Sequence, residues 1–390
     1  IETQSAKPSL SNEVGRAISI VHHHYWGNNS FKIPANLTSP PFDPPVFLGR
    51  DEELVTVHDR LFAGDNFLML VNGQGGIGKT SFAAKYWKKY HDEYKHRAFL
   101  FVGNGIENAL LSIASELGVD FPDTMTGRER LELLLKRISQ LDRPCLIVLD
   151  NANEADELEA HYQLLRTCSN CHLLITSRLA TFRESLTHPI GALSKELGLE
   201  LFIHHYSGHQ ESENDLFFEI FEAVGGNTLV IELLAKNLKE INNLEVFYSL
   251  ENLLNDLQKR GLLRLTEQAS VKVNWQNFEK CRPEEIVSAM YDLRPLSAED
   301  IALLSAFAVL PAENIGYDML KTLLDPGEIR VFAARLQNLH QKGWIEKNEV
   351  NNKSHFKCNP VVQEVVREKN SRLLEDCAAL ISRLSEKLDY

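Results

Sequence analysis

Little in this 390-residue chain points to a membrane, an oxidising compartment or a nucleic-acid backbone. No apolar run approaches the ~20 residues that a helix needs to cross a bilayer, and no secretory leader pattern opens the chain. Its 6 cysteines are scattered without the spacing of a disulfide framework, so reduced thiols are expected. Basic residues are outnumbered, 41 Lys and Arg against 54 Asp and Glu. The resulting net charge of -13 is opposite to what neutralising a phosphate backbone requires. A cytoplasmic protein with neither membrane nor nucleic acid as its main partner is the expectation. The composition, 44% hydrophobic and 24% charged, is that of a globular chain, and its length predicts about two to four domains.

Two clusters invite a metal or haem reading and lose to plainer ones. Cys168-Ser169-Asn170-Cys171-His172 spells C-x-x-C-H, yet it runs straight into the apolar Leu173-Leu174-Ile175-Thr176, so His172 is expected to start a buried strand. His22-His23-His24 has no second cluster nearby in sequence and reads as a helix face. Sequons at Asn28, Asn36 and Asn352 matter only in a secreted chain.

What the chain does contain is Gly73-Gln74-Gly75-Gly76-Ile77-Gly78-Lys79-Thr80, or G-x-x-x-x-G-K-T, between an apolar run (Phe67 to Val71) and a helix-period segment that includes Ser81. Glycines let backbone N–H groups curl around phosphate oxygens, and the following helix presents its positive end to the same anion. Lys79 is placed to reach the β/γ-phosphates and Thr80 to hold Mg²⁺. About 70 residues later, Leu146-Ile147-Val148-Leu149-Asp150 is a buried strand ending in a carboxylate, the second oxygen ligand for Mg²⁺, acting through water. Asn151 follows where a carboxylate would polarise an attacking water, so hydrolysis is expected to be slow unless Glu154 substitutes. Ile175-Thr176-Ser177-Arg178 ends the next strand and brings a cation, Arg178, to the γ-phosphate; the alternative is a surface ion pair for Arg178. No N-K-x-D is present to read guanine, which favours ADP or ATP.

Periodicity divides the chain. Residues 1–45 hold one short helical candidate (12–24) and then Pro34, Pro40, Pro41, Pro44 and Pro45; with Ile1 in place of Met, this reads as a linker from an upstream effector. Residues 46–190 alternate strand-like runs (67–71, 98–102, 146–150, 173–176) with helical ones, the pattern of a parallel sheet with helices on both faces. Strand signals nearly vanish over 191–285, predicting a helical domain. Over 286–370, Ser297 with Asp300 starts a helix in capping-box style, a second helix spans about 328–340, and runs 344–347 and 355–357 flank an Asn-rich turn at 348–354. That is the outline of a winged helix. Residues 371–390 form an amphipathic helix with no partner in view, expected to begin a C-terminal helical sensor array.

Taken in order, these motifs resemble the NB-ARC family of signal-transduction ATPases with numerous domains, the STAND class. Phe47-Leu48-Gly49-Arg50-Asp51 is similar to that family's entry motif, and G-Q-G-G-I-G-K-T, L-I-V-L-D-N-A-N and I-T-S-R follow. Gly226-Asn227-Thr228-Leu229 resembles its G-x-P-L, and Cys358-Asn359-Pro360 onward stands in the place of its M-H-D. The resemblance covers about residues 46–370. It implies an α/β P-loop NTPase domain followed by helical and winged-helix domains. It also implies adenine contacts near Thr228 and Leu229, where Thr228 replaces the family's proline. Asn359 stands where the family's histidine reaches the β-phosphate; Asn359-Pro360 is equally an ordinary helix cap. The implied activity is a slow ATPase used as a switch, closed on ADP, homo-oligomeric when active, and by likeness to bacterial members serving antiphage immunity with a phage protein as trigger. Two other readings compete: a STAND-type transcription regulator whose winged helix reads DNA, and a fast ATPase, which Asn151 disfavours.

Overall fold

The computed structural model describes residues 32–388 except 64–66, 143, 169, 181, 184–186, 245–246, 276–277 and 351. The helical candidate at 12–24, with His22 to His24 and Asn28, lies outside the described residues. Five parallel strands form the principal sheet: β1 (Leu68–Asn72), β2 (His96–Phe101), β3 (Cys145–Asp150), β4 (Cys171–Ser177) and β5 (Thr187–Pro189), in the order β2-β3-β4-β1-β5. Alternate residues feed opposite faces, as the two-residue strand period demands. Met69, Val71, Leu146 and Val148 pack under α1 (Asp51–Phe62) and α2 (Lys79–Lys89). Leu68, Leu70, Ile147 and Leu149 pack under α3 (Ile106–Leu111), α4 (Gly127–Ser139) and α5 (Ala155–Leu165). The expected parallel sheet with helices on both faces is what forms. All six cysteines are buried and free. Cys171 opens β4, and the half-buried His172 bonds Tyr94 at 2.9 Å.

The proline-rich stretch before residue 46 is not a free linker. β2 is an edge strand, and residues 35–38 satisfy its outer side: Leu37 N donates to Arg97 O at 2.7 Å, Arg97 N to Ala35 O at 2.8 Å and Phe99 N to Thr38 Oγ1 at 2.8 Å. Covering an edge in this way removes a template for strand pairing.

After β5 come α6 (Lys195–His205), α7 (Asn214–Ala223), α8 (Thr228–Asn243) and α9 (Leu250–Lys259), then a hairpin of β6 (Val271–Trp275) and β7 (Phe278–Cys281), then α10 (Pro283–Met290). The hairpin corrects the all-helical expectation; its signal was the alternation Val271-Lys272-Val273-Asn274-Trp275. Next are α11 (Ala298–Val309), β8 (Ile315–Gly316), α12 (Tyr317–Leu324), α13 (Ile329–Gln341), β9 (Glu346–Val350) and β10 (Lys353–Lys357), with a three-stranded sheet in the order β8-β10-β9. The turn in the second hairpin is far shorter than 348–354, because both strands extend into it. Ser297 caps α11 by accepting from Asp300 N at 3.1 Å. The Asp300 carboxylate does not return to the cap; it accepts from Asn338 at 2.9 Å and pairs with Arg335 at 3.3 Å. α14 (Pro360–Lys369) and α15 (Leu373–Leu388) finish the chain. The final amphipathic helix does have a partner: α15 lies on α11 and α12, with Cys377 and Leu380 buried. One apolar cluster runs from Leu201 to Leu380 without a break at residue 285. No described helix is long and apolar enough to cross a membrane.

Candidate functional site

The strand order brings three chain segments to one place. β4 lies between β1 and β3, so Arg178, just past β4, sits between the phosphate loop after β1 and Asp150 at the end of β3. A cavity of about 580 Å³ opens at these carboxyl ends, where open α/β sheets collect ligands. Phe47, Leu48, Arg50, Gly75, Gly76, Ile77, Gly78, Lys79, Thr80, Ser81, Asp150, Arg178, Thr228 and Leu229 line it, together with Asn151 and Thr176. Three sequence candidates do not. Gly49 and Gly73 lie behind the wall, and Asn359 caps α14 by accepting from Val361 N at 2.9 Å while its amide donates to Gly225 O at 3.4 Å. The bland reading of Asn359 is the one with a visible contact.

The loop itself is shaped by positive φ at Gly76 (76°) and Gly78 (102°), the latter capping α2. The first turn of α2 carries no acidic residue, unlike α1 with Asp51, Glu52 and Glu53, so the positive end of α2 is left for an outside anion. Lys79 Nζ donates to Gly73 O at 2.9 Å and Gln74 O at 2.7 Å. Lys79 is half-buried and lines the cavity. Desolvation first, and Arg178 second, drive the Lys79 pKa down to about 7. Arg50 donates to Ile77 O at 2.8 Å and Gly191 O at 3.0 Å, tying α1's start to the loop. Burial also lowers the pKa of Arg178, whose guanidinium stays a cation.

Opposite stands Asp150, its pKa raised by burial against the pull of two hydroxyls. Thr80 Oγ1 donates to it at 2.9 Å and Thr176 Oγ1 at 2.6 Å. Asn151 adopts φ 68°, a left-handed conformation that asparagine tolerates, and its N–H donates to Thr176 Oγ1 at 2.9 Å. That conformation gives Asn151 a reason beyond the missing carboxylate. Glu154 is exposed and off the cavity wall. At this end three cations, Arg50, Lys79 and Arg178, stand against Asp150, with Glu53 4.0 Å from Arg50, a surplus that a phosphate group fits. Thr80 and Asp150 supply the hard oxygen donors that Mg²⁺ takes. The buried Thr228 Oγ1 has no hydrogen-bond partner among the described residues, which leaves it a polar contact to offer into the cavity.

Sequence reading missed the far wall. Phe42, Pro44 and Pro45 line the cavity from the stretch taken as linker, and His205, Glu232 and Lys236 reach it from α6 and α8. Asn227, fully buried, caps α8 by accepting from Val230 N at 3.3 Å and donates to Gly75 O at 2.8 Å. Leu229 N donates to Gly76 O at 2.9 Å. The loop is therefore gripped from behind by the start of α8. Further on, Gln74 hydrogen-bonds Glu346 of β9, and Ala180 N donates to Gln341 O at 2.9 Å.

The NB-ARC domain family model matches residues 50–212. An uncharacterized WD repeat-containing protein of Nostoc sp. (strain PCC 7120) is 26% identical over 245 residues, 54% of this chain; the chain spans 19% of that relative's length. Among solved structures, the Walker-type ATPase PABY2304 of Pyrococcus abyssi is similar at a TM-score of 0.51 and 14% identity, over 85% of this chain and 99% of that one, which shows a shared fold. The STAND protein with a tetratricopeptide repeat sensor, PH0952 from Pyrococcus horikoshii, is similar at a TM-score of 0.38 and 18% identity, over 89% of this chain and 46% of that one.

Proposed function

We propose that this chain, whose residues 50–212 match the NB-ARC domain model, is an ADP/ATP-controlled switch of the STAND class held closed by contacts around its phosphate loop. The observation that carries this reading is the double grip on that loop. Asn227 at the start of α8 holds Gly75 O at 2.8 Å, and Gln74 is bonded to Glu346 in the unit that follows. Lys79, Arg50 and the loop N–H groups bind and orient the phosphates, Arg178 meets a terminal phosphate, and Thr228 and Leu229 stand at the nucleoside side. Thr80 and Asp150 would hold Mg²⁺, which would supply charge neutralisation at the phosphates. Turnover is slow, because Asn151 cannot accept a proton and Glu154 is off the wall.

A switch needs unequal binding to its two states. Moving a population from 1:99 to 99:1 takes about 5.5 kcal/mol of differential affinity, and a ligand at 1,000 times its dissociation constant adds about 4.1 kcal/mol to the state it prefers. A ligand seated between a loop and two units that grip it is placed to supply terms of that size. We read the unit from 286 to 370 as a winged helix used for this closure. α13 buries Phe332, Leu336 and Leu339, and its Arg335 is engaged by Asp300, so its face serves packing and does not favour the DNA-reading alternative. Homo-oligomerisation on opening, an upstream effector, a downstream repeat sensor and a phage-protein trigger complete the proposal. The repeat sensor is supported by the WD repeats of the Nostoc relative; the other parts rest on the resemblance to bacterial family members.

Denaturing the freshly purified chain and identifying the released nucleotide by chromatography tests the reading. Stoichiometric ADP is expected. A chain that releases no adenine nucleotide, and takes up none when it is offered, is not this switch.

A further inference from the structure

Arg178 enters the cavity from the end of β4, and none of the carboxylates among the described residues pairs with its guanidinium. Its side-chain contact is instead the ring of Tyr291, 5.3 Å from guanidinium carbon to ring centroid. Tyr291 follows α10 and is buried to 1% exposure, wedged between Trp344 (5.6 Å between centroids) and the phosphate loop. Its hydroxyl donates to Gly75 O at 3.5 Å, and a methyl at Gly75 would lie 3.2 Å from the hydroxyl oxygen of Tyr291. Its own carbonyl accepts Lys369 Nζ at 2.7 Å. Burial pushes the phenol up to about 12, so the group stays a neutral ring with a proton to donate. One side chain thus touches the loop, the arginine expected at a terminal phosphate, and the unit that closes over both.

Resting on the nucleotide-switch reading, we propose that Tyr291 is a positioning residue that withholds Arg178 from a terminal phosphate while the C-terminal units are docked, and so biases the closed chain toward nucleoside diphosphate. The face of a neutral aromatic ring attracts a desolvated guanidinium, and it does so best where water cannot compete. Tyr291 packs on Trp344 and is held by Lys369 of α14, so a movement that carries these away from the loop removes the ring and leaves Arg178 free to pair with phosphate oxygens. A triphosphate would need Arg178 and so must displace the ring; a diphosphate leaves the stack in place. The selectivity thus comes from a contact that no nucleotide atom makes.

The test compares affinities of the full chain for ADP and for the non-hydrolysable triphosphate AMPPCP, by competition with a fluorescent nucleotide. Tyr291→Leu, which removes the ring, is expected to shrink the ADP-over-AMPPCP preference roughly 3- to 30-fold. Tyr291→Phe keeps the ring and should hold the preference within about 2-fold of wild type. In an Arg178→Gln background Tyr291→Leu should change nothing further, because there is no cation left to withhold. If Tyr291→Leu does not fold, Trp344→Leu, which removes the brace behind the ring, should shift the preference in the same direction by less. A ratio untouched by loss of the ring or its brace, or full additivity with Arg178→Gln, overturns the inference while the switch reading stands. A wild-type chain with affinity for neither nucleotide overturns both.

Discussion

The two walls that hold the phosphate loop are built by different means. The sheet-side wall, residues 75–81 with Asp150, Thr176 and Arg178, stands on the ends of three central parallel strands, and its geometry is set by a ladder whose register is continuous from β1 through β4 to β3. The second wall lies behind the loop and off the cavity, and reaches it from far along the chain through the side chains of Asn227, Tyr291 and Glu346 and one backbone bond, Leu229 N to Gly76 O. Local opening draws on regions held by few contacts, while ladder-bound strands open only with the whole domain. The comparison assigns binding to the first wall and reporting to the second.

Removing Lys79 should break the first wall's function and spare its fold. Lys79→Ala takes away the cation nearest the phosphates, and truncating one partner of a buried charge pair costs about 2–5 kcal/mol, so ADP affinity should fall by about 30-fold or more. A protonated Lys79 is held against its desolvation, shown by a pKa down to about 7, so the nucleotide-free variant should melt no lower than nucleotide-free wild type. A clear drop in its melting temperature would mean that this wall is structural, and the comparison would fail.

Gly76→Ala strikes where the walls meet. At φ 76° a side chain is strained, and its Cβ would lie 2.5 Å from Asn227 Oδ1 and 2.6 Å from Met290 Cε. Strain of about 1–3 kcal/mol plus displacement of Asn227 should raise the ADP release rate about 10-fold or more and lower the melting temperature. Unchanged release would show that the loop does not communicate with α8.

How much of this the sequence disclosed follows the same division. The sheet-side wall was legible because its chemistry demands contiguous residue types, G-x-x-x-x-G-K-T and an apolar run ending in Asp150, and because a buried parallel strand reads as an apolar block. The resemblance carried Phe47, Leu48, Arg50, Thr228 and Leu229 to the cavity as well. It did not carry Asn359, whose cap geometry turns it to Gly225, and it gave no hint of Tyr291, an aromatic residue after a helix that any core would use. Asn227 is a plain N-cap in sequence; that its amide also grips Gly75 depends on a contact 152 residues away. The prolines at 44 and 45 break regular structure and were read as linker, yet a chain without helix or strand can still wall a cavity. The β6–β7 hairpin was passed over amid strong helical periodicity, although its alternation was there to read.

Asn227 offers a finer cut between the walls. Asn227→Asp keeps an oxygen for the Val230 N–H, so the helix cap survives, but it cannot donate to Gly75 O. Asn227→Ala loses both, at about 1–2 kcal/mol for the cap alone. If the grip on the loop acts separately from the stability of α8, Asp should quicken ADP release several-fold with a smaller loss of melting temperature than Ala. Equal losses in both would reduce Asn227 to a cap.

The smallest effect is a proton. Desolvation and Arg178 hold the Lys79 pKa at about 7, below the ordinary 10.5, so between these values the unfolded chain binds more protons and the nucleotide-free fold gains stability as pH rises. A phosphate beside Lys79 restores its proton. At pH 8.5, where nucleotide phosphates are already fully ionised, ADP binding should therefore take up about 1 proton, read as the slope of calorimetric enthalpy against buffer ionisation enthalpy. At pH 6 Lys79 carries its proton already, and the Lys79 contribution should vanish. Lys79→Arg, charged at every working pH, should abolish the uptake at pH 8.5 while keeping a cation in place. Uptake that persists in this variant would assign the proton to another group and remove the electrostatic argument that makes the sheet-side wall an anion site awaiting its partner.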